Sequence, residues 1–213
     1  TLLASSAASD VYKRQLFGYL IGPFGALLAS GIFTSQLQNY LTNVLKLDLG
    51  FLTTLQLLST ILIVAANLVV GQLIERTRTL AGKARPWILL SALTLSVASV
   101  LMFIVPFADR TARMVWIAIA YNAYYAVGFP IYNTANSTLV PVSTRNSKQR
   151  STLASLTNIA SLGVMGVGSM IFPTLVSMAL KEDQHLWFVA MLGVAIFTCL
   201  LYTSDAADEA RSV

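Results

Sequence analysis

Uncharged polar side chains recur inside the long apolar runs of this 213-residue chain, and they are most frequent in the fourth run. At the helical period of about 100° per residue, five residues of that run fall within a sector about 80° wide: Asn122, Tyr125, Phe129, Asn133 and Asn136. Amide and phenol groups cannot satisfy their hydrogen bonds in hydrocarbon, so such a face must meet protein or water. The pattern predicts either a polar cavity that binds a small solute or hydrogen bonds that hold helices together.

Amides also occur in three other apolar runs: Gln36 and Gln38 in the first, Asn67 in the second and Asn158 in the fifth. On the cavity interpretation, we predict that six residues bind the solute: Asn67, Asn122, Tyr125, Asn133, Asn136 and Asn158. Gly128 and Pro130 predict an interruption of the fourth helix, because proline lacks the N–H of the helical ladder, and Pro141 predicts its end. In the fifth run, the segment SLGVMGVGS predicts close helix packing or a hinge at Gly163, Gly166 and Gly168.

The positive charge of the chain gathers in short connectors between the apolar runs. The connector GQLIERTRTLAGKARPW, residues 71–87, holds four cationic side chains: Arg76, Arg78, Lys83 and Arg85. Residues 143–151 are also basic and include Arg150, whereas 43–50, 108–113 and 180–186 carry little net charge. The positive-inside rule therefore places the two basic connectors and the N-terminus in the cytoplasm. The basic balance indicates topology and gives no sign of a nucleic-acid partner.

The elements that must position these residues are predicted to be helices that cross a lipid bilayer. A membrane core about 30 Å thick requires roughly 20 apolar residues per helix. The sequence predicts an all-α membrane protein, a transmembrane bundle with six helices at about 17–42, 51–74, 87–107, 114–141, 152–179 and 187–198, the last one truncated. Outside the two ends of the chain, the charged residues lie in connectors, as expected because a charge at mid-bilayer costs on the order of 3 kcal/mol.

Enzyme chemistry finds little support in this sequence. His185 lies in a connector beside Lys181, Glu182 and Asp183, without further residues at the spacing of a metal site. We therefore predict no catalytic residues, no metal and no cofactor.

Both ends of the chain show a pattern that does not belong to a membrane helix. The segment SSAASDVYKRQ (5–15) back-translates to a DNA string whose reverse complement, read in another frame, encodes CLLYTSDAADE (199–209). That string resembles a transposase adapter used to prepare sequencing libraries. We predict that 1–15 and 199–213 are artefactual tags, that 16–198 is an internal piece of a longer protein, and that Cys199 belongs to a tag.

The stretch from YLTNV through GQLIERTRTLAGKARPWIL to VPVSTRNSKQRS resembles the first half of the major facilitator superfamily. More narrowly, it is similar to the glycoside–pentoside–hexuronide:cation symporters. Gly71, Thr77, Gly82, Pro86 and Trp87 stand where that family's connector signature places such residues. The resemblance implies a twelve-helix protein of which this chain is the N-terminal half, in a bacterial cytoplasmic (inner) membrane.

The resemblance also implies functions for both groups of residues. It implies that the basic connector is a latch at the cytoplasmic gate. The residues of that gate would be Arg76, Arg78, Lys83 and Arg85 of this connector, together with Arg150 of the connector at 143–151. It implies a secondary active or facilitative transporter of a small polar solute, a sugar or a glycoside, that works by alternating access. The alternative is a sensor or scaffold that keeps the fold but has lost transport.

The chain departs from that family at its intramembrane charges. The acidic pair of the second helix, which binds the coupling cation, is replaced by Ile63 and Asn67. Leu27 and Asn133 stand where further acidic residues are expected, and Asn158 where an arginine is expected. Coupling to Na⁺ or H⁺ is therefore left open, because amide oxygens alone bind Na⁺ weakly.

Overall fold

The computed structural model describes residues 27–79, 84–143, 147–175, 178 and 183–210, with the backbone alone at 85, 139–143, 147–150, 198 and 201–210. Within these ranges the chain forms six helices and no strand. They are α1 (27–44), α2 (Leu49–Arg76), α3 (Arg85–Phe103), α4 (Arg110–Ser143), α5 (Ser147–Leu175) and α6 (Gln184–Ala210). The predicted all-α bundle and the order of its helices are confirmed.

Four of these helices contain segments long and apolar enough to cross a membrane: Leu49–Arg76, Pro86–Phe103, Arg110–Thr138 and Ser151–Leu175. A shorter apolar segment, Gln184–Phe197, lies in α6. Two helix starts are fixed by aspartates at the N-cap. The Asp48 side chain accepts a hydrogen bond from the Gly50 N–H at 3.1 Å, and Asp109 accepts one from the Ala112 N–H at 2.9 Å. Each cap satisfies a backbone donor that has no partner within the helix.

The main core lies where α3 packs against α4 and α6, and α1 contributes buried side chains to it from Leu27 to Leu41. Tyr40, Phe103 and Trp187 are fully buried there, with ring centroids 4.5 to 6.0 Å apart. The Tyr40 hydroxyl donates to the Phe103 carbonyl at 3.3 Å, so the phenol is hydrogen-bonded inside the core. These contacts tie α1, α3 and α6 together.

Backbone packs directly on backbone where α1 crosses α5. A side chain on Gly31 would collide with the Met165 carbonyl, and one on Gly168 would lie 2.9 Å from the Leu28 carbonyl oxygen. The predicted close packing is therefore confirmed for Gly168. For Gly163 and Gly166 it stays a prediction, because no atom of another described helix lies within 4 Å of the position that a Cβ would occupy on either residue.

The fourth helix is continuous, so the predicted interruption at Gly128 and Pro130 is wrong. It has a π-helical stretch instead, Ala123–Gly128, which ends two residues before Pro130. A proline clashes with the carbonyl four residues earlier, and the i→i+5 pattern gives that carbonyl a different partner. Pro141 does not end the helix either, because α4 continues to Ser143.

Candidate functional site

Three amides in three different helices lie at a common depth in the bundle. Asn67 precedes the end of α2 at Arg76 by nine residues, and Asn133 precedes the end of α4 at Ser143 by ten. Asn158 follows the start of α5 at Ser147 by eleven residues. At 1.5 Å per residue, each amide is roughly 14 to 17 Å from its helix end, near the middle of a core about 30 Å thick.

The helix ends used for this measurement lie on the same side of the molecule. Val70 and Ile74 near the end of α2 pack against Ile131 and Ala135 of α4, and the cluster also contacts Trp87 at the start of α3. The second half of α4 in turn packs against both α2 and α5. Asn133 therefore belongs to the helix that lies between the helices of Asn67 and Asn158.

All three of these amides are exposed on the surface of the described bundle. The Asn67 side chain donates to the Ile63 carbonyl at 2.8 Å, one turn earlier in its own helix. That hydrogen bond leaves the Asn67 amide oxygen available to a second partner. Exposed amides at mid-depth of membrane helices need polar surroundings, since hydrocarbon would leave their donors and acceptors unsatisfied.

Asn122 stands apart from these three, nearer the other end of α4. Its side-chain nitrogen donates to the Ala118 carbonyl at 2.9 Å. Its Oδ1 atom is buried and accepts no hydrogen bond from the part of the chain that the structure describes. Val115 and Ile119, seven and three residues earlier, are on the same face and are 55% and 62% exposed. The polar face therefore does not continue from Asn122 toward the start of α4.

The predicted sector assumed one α-helical period over the whole of α4, and the π-helical stretch changes that geometry. A π-helical turn contains more residues than an α-helical turn, so Asn122 is rotated relative to Asn133 and Asn136. The degree of exposure differs as well: Asn133 is exposed, whereas Asn122 and Asn136 are half-buried. Asn133 and Asn136 therefore do not form a single uniform face with Asn122.

Tyr125 lies in a group of aromatic rings that joins α4 to α1. Its ring centroid is 4.6 Å from that of Tyr121, 4.9 Å from that of Tyr124 and 6.5 Å from that of Phe33. Tyr124 is fully buried, while Tyr125 is half-buried. An aromatic surface beside hydrogen-bonding groups suits a ligand with both apolar and polar faces. The sequence stripe included Tyr125 but missed Tyr121, Tyr124 and Phe33.

At the connector, the structure positions some of the predicted gate residues. Arg76 and Arg78 are exposed and flank Thr77, where α2 ends. The Trp87 indole N–H donates to the Thr77 hydroxyl at 2.9 Å and so links the start of α3 to the end of α2. Lys83 lies outside the described residues. For Arg85 and Arg150 the backbone is described, at the start of α3 and in the first turn of α5.

A second group of charges lies at the opposite end of the bundle, where the sequence indicated only near-neutral connectors. Arg113 donates from Nη1 to the Leu45 carbonyl at 3.0 Å and from Nη2 to the Ala108 carbonyl at 3.4 Å. A cleft of about 660 Å³ beside it is also lined by Lys46, Asp48 and Arg110. Arg113 thereby bonds the carbonyl end of α1, a favourable place for a cation.

The remaining titratable side chains provide no catalytic arrangement within the described part of the chain. His185 is exposed at the start of α6, and its backbone N–H donates to the Asp183 carboxylate at 2.9 Å. The described residues contain no group of three or more His, Cys, Asp or Glu that could hold a metal ion.

Comparison with known proteins places the chain in a family. A family model described as MFS/sugar transport protein matches residues 18–211. The chain is 26% identical to an isoprimeverose transporter of Lactiplantibacillus pentosus over 93% of its own length and 43% of that protein. It is 28% identical to a putative glycoside/cation symporter of Escherichia coli (strain K12), over 92% and 44% of the two chains. A glucuronide carrier protein homolog of the same strain is 24% identical, over 90% and 44%. The chain thus spans less than half the length of these relatives.

Proposed function

We propose that this chain, which belongs to the MFS/sugar transport protein family, is the N-terminal half of a transporter that carries a small neutral glycoside across a membrane by alternating access. The family and the relatives named above are transporters, so the expectation of a transporter and not an enzyme is confirmed at the level of the family. The apolar helices and the family make the chain part of an integral membrane protein. The solute and the transport cycle are our proposal.

The observation that carries the proposal is the common depth of Asn67, Asn133 and Asn158, each exposed on a separate helix. Lipid would leave all three amides unsatisfied, so they favour a shared polar interior near the midplane. Transporters of this general kind bind solute near the midplane, between two repeats that rock about the site. The part of the protein beyond this chain would then form the other wall of that interior.

Chemistry at these positions favours a neutral polyol over a charged solute. The three amides supply both donors and acceptors, which match the hydroxyl groups of a sugar. Tyr125 and the rings around it would contact the apolar face of a pyranose. Asn122, whose buried Oδ1 has no partner among the described residues, would accept a further hydroxyl hydrogen bond.

Coupling to a cation needs oxygen ligands or carboxylates that this segment does not supply at the family positions. Ile63 and Asn67 take the place of an acidic pair, and the Ile63 carbonyl already accepts the Asn67 amide. We propose that the solute moves by facilitated exchange, or that a carboxylate beyond this chain provides the coupling.

The orientation follows from the charge of the connectors. Arg76 and Arg78 are exposed at the end of α2, and the start of α3, which includes the backbone of Arg85, lies on the same side of the bundle as that end. We propose that this side faces the cytoplasm, with the N-terminus on the same side, and that the membrane is a bacterial inner membrane.

Counterflow in proteoliposomes that contain the complete protein tests the proposal. The probes are radiolabelled isoprimeverose and lactose, each with excess unlabelled sugar inside. Asn133→Leu and Asn67→Leu should each lower kcat/KM by roughly tenfold or more, because a hydroxyl of the bound solute is left without its hydrogen-bond partner. Thr94→Val is the matched control, since Thr94 donates to the Leu90 carbonyl of its own helix at 2.7 Å and is not among the proposed solute-binding residues. Unchanged counterflow in both asparagine variants would refute the proposed site.

The replaced acidic pair also favours a second candidate, a sensor or scaffold that binds the solute without moving it. Such a protein would show a thermal shift with the same sugars but no flux in proteoliposomes. Flux of either probe above that of empty liposomes would exclude the sensor.

A further inference from the structure

Trp87 and Thr77 are ten residues apart within the basic connector, Thr77 at the end of α2 and Trp87 in the first turn of α3. The Trp87 indole N–H donates to the Thr77 hydroxyl at 2.9 Å, and the same hydroxyl donates to the Leu73 carbonyl at 2.7 Å. The hydroxyl group of Thr77 therefore accepts one hydrogen bond and donates another. The two bonds join the last turn of α2 to the first turn of α3.

Thr77 occupies the position where the backbone leaves the helix. Its φ and ψ are −70° and 126°, and its N–H donates to the Ile74 carbonyl at 3.2 Å. Arg76 precedes it and Arg78 follows it, and both arginines are exposed. A hydrogen bond that fixes Thr77 consequently fixes the backbone from which both arginines extend.

Apolar packing holds the Trp87 ring in place on its other side. The ring is half-buried against the cluster of Val70, Ile74, Ile131 and Ala135. Ala135 is fully buried and stands between Asn133 and Asn136 in α4. The ring thus connects the end of α2 and the start of α3 to the turn of α4 that carries two of the proposed solute-binding amides.

We propose that Trp87 is a positioning residue for the gate: its hydrogen bond to Thr77 holds Arg76 and Arg78 where they close the cytoplasmic entrance. This inference rests on the proposed transport function. It adds a residue that acts through the arginines, without contact with the solute. Loss of the indole N–H should loosen the end of α2 and increase the fraction of protein that is open on the connector side.

Access from the connector side can be measured without knowing the solute. Ser137→Cys provides a near-isosteric reporter, since Ser137 is exposed in α4 and lies one turn closer to the connector side than Asn133. The rate at which a membrane-impermeant maleimide labels this cysteine is measured in inside-out vesicles with the complete protein, in a background without other reactive cysteines. Trp87→Phe and Thr77→Val should each raise the rate by roughly two- to tenfold, the population shift expected from one net hydrogen bond.

Matched variants distinguish the effect of losing the Trp87–Thr77 bond from a general loss of stability. Thr77→Ser keeps the hydroxyl and should label at the parent rate. Trp116→Phe removes an equivalent indole donor at the other end of the bundle, where Trp116 bonds the Leu101 and Ile104 carbonyls at 3.0 and 2.7 Å. Thr94→Val removes a bond of the same type as that between Thr77 and Leu73. Both of these controls should also label at the parent rate.

The triple variant of Trp87→Phe with Arg76→Gln and Arg78→Gln tests whether Trp87 acts through the two arginines. If it does, the triple variant labels no faster than the variant with both arginine replacements alone, because both arginines that Trp87 positions are already absent. If Arg78→Gln speeds labelling but Trp87→Phe and Thr77→Val do not, the role of Trp87 is overturned, while the role of Arg78 in closing the entrance is supported. If neither class of variant changes the rate, both the inference and the latch are wrong, while the solute site is judged separately by counterflow.

Discussion

At the scale of single residues, the polar side chains of the spans differ in how far their own helices satisfy them. The Asn67 and Asn122 nitrogens bond a carbonyl one turn earlier, at 2.8 and 2.9 Å. Each bond uses one of the two N–H groups and leaves the other N–H and the amide oxygen for another partner. On the proposed function, these remaining groups bond the hydroxyl groups of the solute.

Asn122 allows stability and function to be separated. We expect Asn122→Leu to leave the melting temperature of the complete protein unchanged or higher, because the substitution removes a buried oxygen that has no partner in the described chain. The same variant should raise KM for counterflow by roughly tenfold, since an acceptor for the solute is lost. Scanning fluorimetry and counterflow on one preparation provide both values.

The control for this prediction is Thr94→Val, which loses a comparable bond to its own helix. A fall in melting temperature with KM unchanged in Asn122→Leu would show that the amide stabilises the bundle and does not bind solute.

At the scale of helices, most of the architecture could be predicted from hydropathy. Each of the six helices overlaps its predicted span, and capping residues such as Asp48 and Asp109 set some of the ends. The last helix differs, because α6 continues to Ala210, beyond the predicted end at 198. The π-helical stretch could not be predicted, because hydrogen-bond register within a helix depends on packing. Pro130 is a signal for a local change, but not for its type.

The glycines of α5 show the same limit. Composition identified a segment that permits close approach, but the partner helix decides which glycine is used. Gly168 meets α1, whereas Gly163 and Gly166 face open space within the described bundle. Gly31 of α1, which provides the other side of the contact, was not among the predicted residues.

The crossing of α1 and α5 yields a prediction about stability. Gly31→Val should lower the free energy of unfolding of the complete protein by about 1–3 kcal/mol, because its Cβ would collide with the Met165 carbonyl and the backbones would have to separate. Gly193→Ala is the control, since a Cβ there has nothing within 4 Å and glycine is the weaker helix former. Equal melting temperatures for Gly31→Val and the parent would contradict the described crossing.

At the scale of the whole molecule, the chain has more exposed apolar surface than its own core requires. Leu57, Ile61 and Leu68 of α2 are 67 to 69% exposed, and Leu162 and Met170 of α5 are 73 and 77% exposed. The chain also spans less than half the length of its named relatives. These faces require lipid or further protein around them, and the amides of the same two helices require polar surroundings. On the proposed function, the part of the protein beyond this chain supplies both.

At this scale, the sequence predicted the family and the membrane fold, but not how the connector is held. Basic residues and the G-K-A-R-P-W segment identify the connector, whereas the Trp87–Thr77 bond needs two residues ten positions apart to meet in space. The proposed tags at 1–15 and 199–213 stay a prediction, and the family match extends to residue 211.

The central claim is that Asn67, Asn133 and Asn158 line a water-accessible interior at mid-membrane. Each is replaced singly by cysteine in the complete protein without other reactive cysteines, and labelling by a water-soluble maleimide is compared with that of Leu93→Cys, an exposed apolar position at mid-depth of α3. The account predicts that the three amide positions label and Leu93→Cys does not, because maleimide needs a thiolate in water. Labelling at all three positions as slow as at Leu93→Cys would place them in lipid and contradict the account.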